Sequence, residues 1–126
     1  MRILLDTHAL LWAASGSLSP SALVLLEDTA NELYFSPVSI WEIELKSRRL
    51  KVDSKVFYQN LVHNGYRELP LNSRHIVSLS HLPLLHNDPF DRVLLAQAVC
   101  EQIQLLTDDE ALKNYSNHVD CILSYQ

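Results

Sequence analysis

His86-Asn87-Asp88-Pro89-Phe90-Asp91-Arg92, running on into Val93-Leu94-Leu95-Ala96-Gln97-Ala98, opens a helix and sets a carboxylate at the head of its buried face. Asp88-Pro89 has the form of a helix start: an Asp at the N-cap to accept backbone N–H groups, then a Pro where a missing N–H costs nothing. Asp91 then falls in the first turn. Counting on by four, seven and eight reaches Leu95, Ala98 and Val99, an apolar stripe aimed at a core. A charge at the head of that stripe is costly to bury unless something cationic meets it. The alternative role for Asp91 is as the N3 member of a capping box, folded back on its own helix. Three other acidic positions tilt the choice towards a cation.

Outward from this helix, strands and helices alternate. Arg2-Ile3-Leu4-Leu5 is an apolar run that stops at Asp6, and residues 103–107 form a second run that stops at Asp108-Asp109. Leu33-Tyr34-Phe35, residues 66–71 (broken by Pro70) and residues 119–123 supply further strands. Helices are predicted over residues 7–14, after Ser19-Pro20, after Ser36-Pro37, after Asp53, after Asn72 and over residues 110–115. Their inward sides are expected to carry Leu23, Leu26 and Ala30; Val38, Trp41, Glu42 and Leu45; Val56, Phe57, Asn60 and Leu61; and Ile76, Leu79 and Leu82. This alternation predicts an α/β fold with a mostly parallel sheet and helices on both faces. There is no repeat or linker, and 126 residues suit one domain with a sizeable core.

Composition narrows the partners. The formal charge of −5 excludes polyanion binding by bulk charge, so a nucleic-acid substrate requires a local basic patch and a bound metal. Cys100 and Cys121 have no metal-ligand spacing and are read as buried, reduced and inert. The early apolar run is interrupted by Asp6 and His8, which removes it as a signal peptide and leaves a cytoplasmic protein as the expectation.

In parallel sheets, ligands bind beyond the carboxyl ends of the strands. Asp6 and the pair Asp108-Asp109 stand at such ends, and Glu42 and Asp91 lie on helices that reach the same rim. Acids gathered there repel one another unless a divalent cation holds them ionised. Hard oxygen donors without Cys or paired His favour magnesium or manganese over zinc. Each acid also has a structural role open to it. Asp6 can cap the helix that follows, Glu42 can pair with Lys46 four residues on, and Asp108 or Asp109 can cap the helix at Glu110. Thr7 and Thr107 are candidates to orient a carboxylate or a water. His8 and His86 are read as hydrogen-bonded structural residues, and Trp12 and Trp41 as core or interface aromatics.

Four segments together resemble the PIN-domain ribonucleases, most closely the VapC-type toxins of bacterial toxin–antitoxin pairs. They are Leu4-Leu5-Asp6-Thr7-His8-Ala9-Leu10-Leu11-Trp12; Ser36-Pro37-Val38-Ser39-Ile40-Trp41-Glu42-Ile43 with Lys46; the segment quoted first; and Leu105-Leu106-Thr107-Asp108-Asp109. The resemblance implies a three-layer PIN-like fold over residues 1–126 with a five-stranded parallel sheet, an acidic pocket for magnesium or manganese, and RNA cleavage. It assigns the first three acidic positions to Asp6, Glu42 and Asp91. The fourth acid follows a Thr by two positions in many relatives, which selects Asp109 and leaves Asp108 open. It also implies a homodimer and a cognate antitoxin, commonly a DNA-binding protein whose tail fills the acidic groove.

The expected activity is therefore metal-dependent phosphodiester hydrolysis. Asp6, Asp91 and Asp109 would hold one or two ions, with Glu42 as ligand or as orienter of the attacking water. Lys46, Arg48, Arg49, Lys51 and Arg92 are candidates to touch the RNA backbone. One rival is phosphotransfer with Asp6 as covalent nucleophile. In haloacid-dehalogenase-like enzymes a second Asp follows two residues on, but His8 stands there. The other rival is a PIN-like module that binds RNA or protein without cutting, which four filled acidic positions disfavour.

Overall fold

The structure, a computed structural model, describes residues 1–125. Its strands are β1 (Arg2–Leu5), β2 (Glu32–Phe35), β3 (Arg67–Glu68), β4 (Gln104–Thr107) and β5 (Ile122–Ser124). They form a five-stranded sheet in the order β3-β2-β1-β4-β5, every pairing parallel. The helices are α1 (Thr7–Ser15), α2 (Pro20–Glu27), α3 (Pro37–Leu45), α4 (Ser47–Leu50), α5 (Ser54–His63), α6 (Ser73–Val77), α7 (Pro89–Glu101) and α8 (Glu110–Lys113). Two 3-10 turns, Ser78–His81 and Asn114–Asn117, continue α6 and α8.

A central strand covered on both faces needs an unbroken apolar run, which is what Ile3-Leu4-Leu5 provides. Their side chains alternate between two cores. Ile3 and Leu5 pack with Ala9 and Leu10 of α1, Ala22 of α2, and Phe57 and Leu61 of α5. Leu4 and Leu105 pack on the other side with Leu94, Leu95 and Ala98 of α7 and Leu112 of α8. The expected α/β architecture, with helices on both faces, is the one observed.

Side chains start the helices as the sequence indicates. Asp6, Ser19, Ser36, Asp53, Asn72, Asp88 and Asp109 each accept a backbone N–H at an N-cap. Several inward faces differ from expectation. Trp41 and Leu45 are 59% and 62% exposed, and α3 turns Val38, Ser39, Glu42 and Ile43 inward. Of the four expected inward, Val38 and Glu42 are buried and Trp41 and Leu45 are not, so hydrophobic periodicity places only half of that face. Ala30 lies beyond the end of α2, Val56 and Asn60 are exposed, and α6 buries His75 while Ile76 faces out. Pro70 lacks an amide hydrogen and β3 keeps only two residues, prolonged by the Leu69 N–H to Phe35 carbonyl bond of 2.8 Å. Val99 is 38% exposed, which narrows the stripe on α7. Cys121 is buried with its thiol pushed up to about 11 by burial, whereas Cys100 is half-buried; both are free thiols. No single helix among the described residues is long and apolar enough to cross a membrane.

Candidate active site

The pairing of β1 with β4 fixes the first part of the site. Leu5 lies beside Leu106, and the Asp6 N–H continues the ladder to the Leu106 carbonyl at 3.1 Å, so Asp6 emerges next to Thr107. The Asp6 carboxylate is 1% exposed. Its Oδ1 accepts the Ala9 N–H at 2.8 Å and its Oδ2 accepts the Thr107 hydroxyl at 2.5 Å. Asp6 thus takes the capping role open to it while facing a second acid. Burial raises its pKa, the Thr107 and Ala9 hydrogen bonds oppose that rise, and the charge of Asp109 adds to it.

Thr107 links the two strand-end acids, because the oxygen that donates to Asp6 also accepts the Asp109 N–H at 3.0 Å. Asp109 caps α8 through the Leu112 N–H at 3.1 Å. Asp108 turns to Lys113, whose Nζ donates to it at 3.0 Å. Asp108 and Asp109 line a pocket of about 210 Å³ shared with Asp6, His8, Trp12 and Tyr125.

Asp91 reaches the same place from the start of α7. The capping-box alternative is not realised by its side chain. Asp88 Oδ1 accepts the Phe90 and Asp91 N–H groups at 2.9 and 3.4 Å, while Asp91 Oδ2 accepts from His86 Nε2 at 2.8 Å. The same His86 nitrogen stands 3.7 Å from Asp109 Oδ1. His86, Asp91 and Asp109 each offer one donor atom, and these atoms all lie within 4.8 Å of one another. Burial pushes the Asp91 carboxyl up to about 6; the His86 bond opposes this, and Asp88, Asp6 and Asp109 reinforce it.

Glu42 approaches from α3. The Thr7 hydroxyl donates to Ser39 Oγ at 3.0 Å, which pins α3 to α1 one turn before Glu42. Glu42 forms the expected pair with Lys46, at 2.6 Å between Oε2 and Nζ, but it does so buried, 3% exposed. Its Oε1 has no hydrogen-bond partner among the described residues. Lys46 Nζ also lies 5.8 Å from the centroid of the Phe90 ring, next to Asp91.

The structure therefore gathers Asp91, Asp109 and His86 tightly and ties Asp6 to them through Thr107. Glu42 lies outside the group that shares donor atoms within 4.8 Å. Arg92 is engaged elsewhere: its guanidinium faces the Leu79 and Leu82 carbonyls at 3.4 and 3.5 Å, bracing α7 against the preceding turn. His86 is a hydrogen-bonded structural residue, as the sequence indicates; what the sequence does not give is its partner, Asp91.

These residues suit a hard divalent cation. Three carboxylates lie within mutual electrostatic reach with two of their pKa values raised, and a buried carboxylate oxygen on Glu42 stands without a partner. A divalent charge among the three aspartates would offset their mutual repulsion and the cost of their burial.

The PIN domain family model matches residues 3–117. No curated protein matches the sequence. Among solved structures, the chain is similar to one in the crystal structure of VapBC2 from Rickettsia felis bound to a DNA fragment from their promoter, with TM-score 0.73, 13% identity and 100% of both chains covered. It is also similar to one in DNA-bound VapBC from Salmonella typhimurium, with TM-score 0.74, 9% identity, and 100% of this chain and 99% of the other covered. VapBC-1 from nontypeable Haemophilus influenzae gives TM-score 0.68 and 15% identity, covering 100% of this chain and 97% of that one. At these identities the likeness is one of fold.

Proposed function

Because the chain belongs to the PIN domain family, we propose that it is a metal-dependent endoribonuclease, the VapC-type toxin of a toxin–antitoxin pair. The observation that carries this reading is the meeting of Asp6, Asp91 and Asp109, distant in sequence, at the carboxyl ends of β1 and β4. Asp6, Asp91 and Asp109 would hold magnesium or manganese, with Glu42 Oε1 free to serve as ligand or to orient a water. When bound, such an ion lowers the pKa of a water and offsets charge on the phosphoryl oxygens.

The chain's own residues set up the rest. Thr107 fixes the spacing of Asp6 and Asp109, and Lys46 meets the charge of Glu42 beside Phe90. Arg48, Arg49 and Lys51 are exposed on and just after α4, a local basic patch on a chain of net charge −5. They would bind the RNA backbone. Hydrolysis by water leaves a 5′-phosphate and a 3′-hydroxyl and does not use the 2′-hydroxyl.

Residues 1–126 would form a single PIN domain, acting in the cytoplasm as a homodimer held inactive by a cognate antitoxin. The solved VapBC complexes of similar fold support the pairing with an antitoxin. The reading is tested by expressing the protein and mapping the ends of cleaved cellular RNA, then repeating the reaction with purified protein. Cleavage that needs manganese or magnesium, leaves 5′-phosphates and disappears in Asp6→Asn supports it. Undiminished cleavage in EDTA, or full activity of Asp6→Asn, would defeat it.

A further inference from the structure

The loop before α7 is held by a residue some thirty positions on in the chain. Tyr115 is fully buried; its hydroxyl donates to the Pro83 carbonyl at 2.7 Å and accepts the Leu85 N–H at 3.1 Å. That clamp fixes the chain immediately before His86. The Asp88 N–H then points at His86 Nδ1 at 3.4 Å, which makes Nδ1 the acceptor and leaves the ring proton on Nε2. Nε2 faces Asp91 Oδ2 at 2.8 Å.

Without this bond the Asp91 carboxylate has another place to go. It sits at the third position of a helix whose cap is Asp88, where an acidic side chain can fold back on the helix N-terminus. From these contacts the geometry points to His86 as a positioning residue, which donates from Nε2 to hold Asp91 turned towards Asp109 and the cation, with Tyr115 delivering the loop that carries it. The imidazole acts through Asp91 and is not itself a ligand. Outer-shell donors of this kind matter to metal affinity by roughly 10-fold to 100-fold. This inference rests on the metal-site reading above.

The test is manganese binding by the full chain, with MnCl2 alone, followed by calorimetry and by the nitrogen couplings in the spin-echo spectrum of the bound ion. The variants are His86→Ala, which removes the donor, His86→Gln, whose amide can donate from nearly the same place, and Tyr115→Phe, which removes only the clamping hydroxyl. The expected result is manganese affinity at least about tenfold weaker in His86→Ala and restored to within a few-fold in His86→Gln. Wild-type protein should show no directly bound nitrogen, and Tyr115→Phe should weaken binding in wild type but add little in His86→Ala. Unchanged or tighter binding by His86→Ala overturns the inference, as does a His86→Gln as weak as Ala or a directly coordinated nitrogen. Equal losses from Tyr115→Phe in both backgrounds overturn the delivery by Tyr115. A wild-type chain that binds no manganese overturns the metal-site reading itself, and this inference with it.

Discussion

Asp91 is a carboxyl held where its charge is costly. Its pKa stands at about 6, against 3.8 for the free side chain, chiefly because it is buried. A carboxyl with a raised folded-state pKa favours the native state while protonated. That contribution is whole below pH 4 and fades as pH rises through 6. At neutral pH the ionised group therefore opposes folding, by about 3 kcal/mol. Asp91→Asn should raise the melting temperature in EDTA at pH 7.5 by several degrees, with the difference vanishing near pH 3.5. The same variant should lose the stabilisation that manganese gives wild type. A metal-free Asp91→Asn less stable than wild type at pH 7.5 would refute this account of the burial. Glu42 gives a second case. Lys46→Ala leaves a buried carboxylate without its cation and should cost about 1–2 kcal/mol in urea unfolding, an amount reduced because Lys46 is a third exposed. Adding Glu42→Gln to that variant should recover most of the loss, and strictly additive losses would contradict the pairing.

Among the elements, α7 was the most legible and α3 the least. Asp88-Pro89 announces the start of α7 by cap chemistry, and Leu95 and Ala98 are buried as their spacing requires. In α3 the inward face carries Ser39 and Glu42, and the large apolar Trp41 and Leu45 point out. Period-based reading assumes that apolar residues face the core, so it places Val38 but misplaces Trp41 and Leu45 on an element that buries polar groups. For His86 the sequence indicates a hydrogen-bonded residue but not its partners. Its place depends on a hydroxyl from Tyr115, far along the chain, and no local pattern encodes that contact. The approach of Asp6, Asp91 and Asp109 to one another was legible because strand ends and helix starts fix where they emerge. Holding α3 and α7 together falls to Gln97, fully buried, whose Oε1 accepts the Ser36 hydroxyl at 2.5 Å and whose Nε2 donates to the Leu69 carbonyl at 3.2 Å. Ser36 in turn caps α3. Gln97→Leu should cost about 1–3 kcal/mol by leaving those partners unsatisfied, read as a lower urea midpoint with unchanged slope. A neutral Gln97→Leu would contradict its role as the tie.

At the scale of the whole molecule, the strand order sets β1 beside β4 and so brings Asp6 and Asp109 to one rim. Helix α7, packed over β4 through Leu94 and Leu95, delivers Asp91 to it. The chain as a whole is negative, so the RNA proposed as its substrate would have to be held locally. Replacing Arg48, Arg49 and Lys51 together by Ala should weaken RNA binding and flatten its dependence on salt while leaving the melting temperature unchanged. An unaltered salt slope would place the RNA elsewhere. The claim beneath all of this is that the gathered carboxylates share one hard cation. The most direct measurement is the anomalous scattering of a crystal soaked in manganese chloride. The account predicts a peak bounded by Asp6, Asp91 and Asp109; a fully soaked crystal with no peak there, or with manganese bound only at other acids, would contradict it.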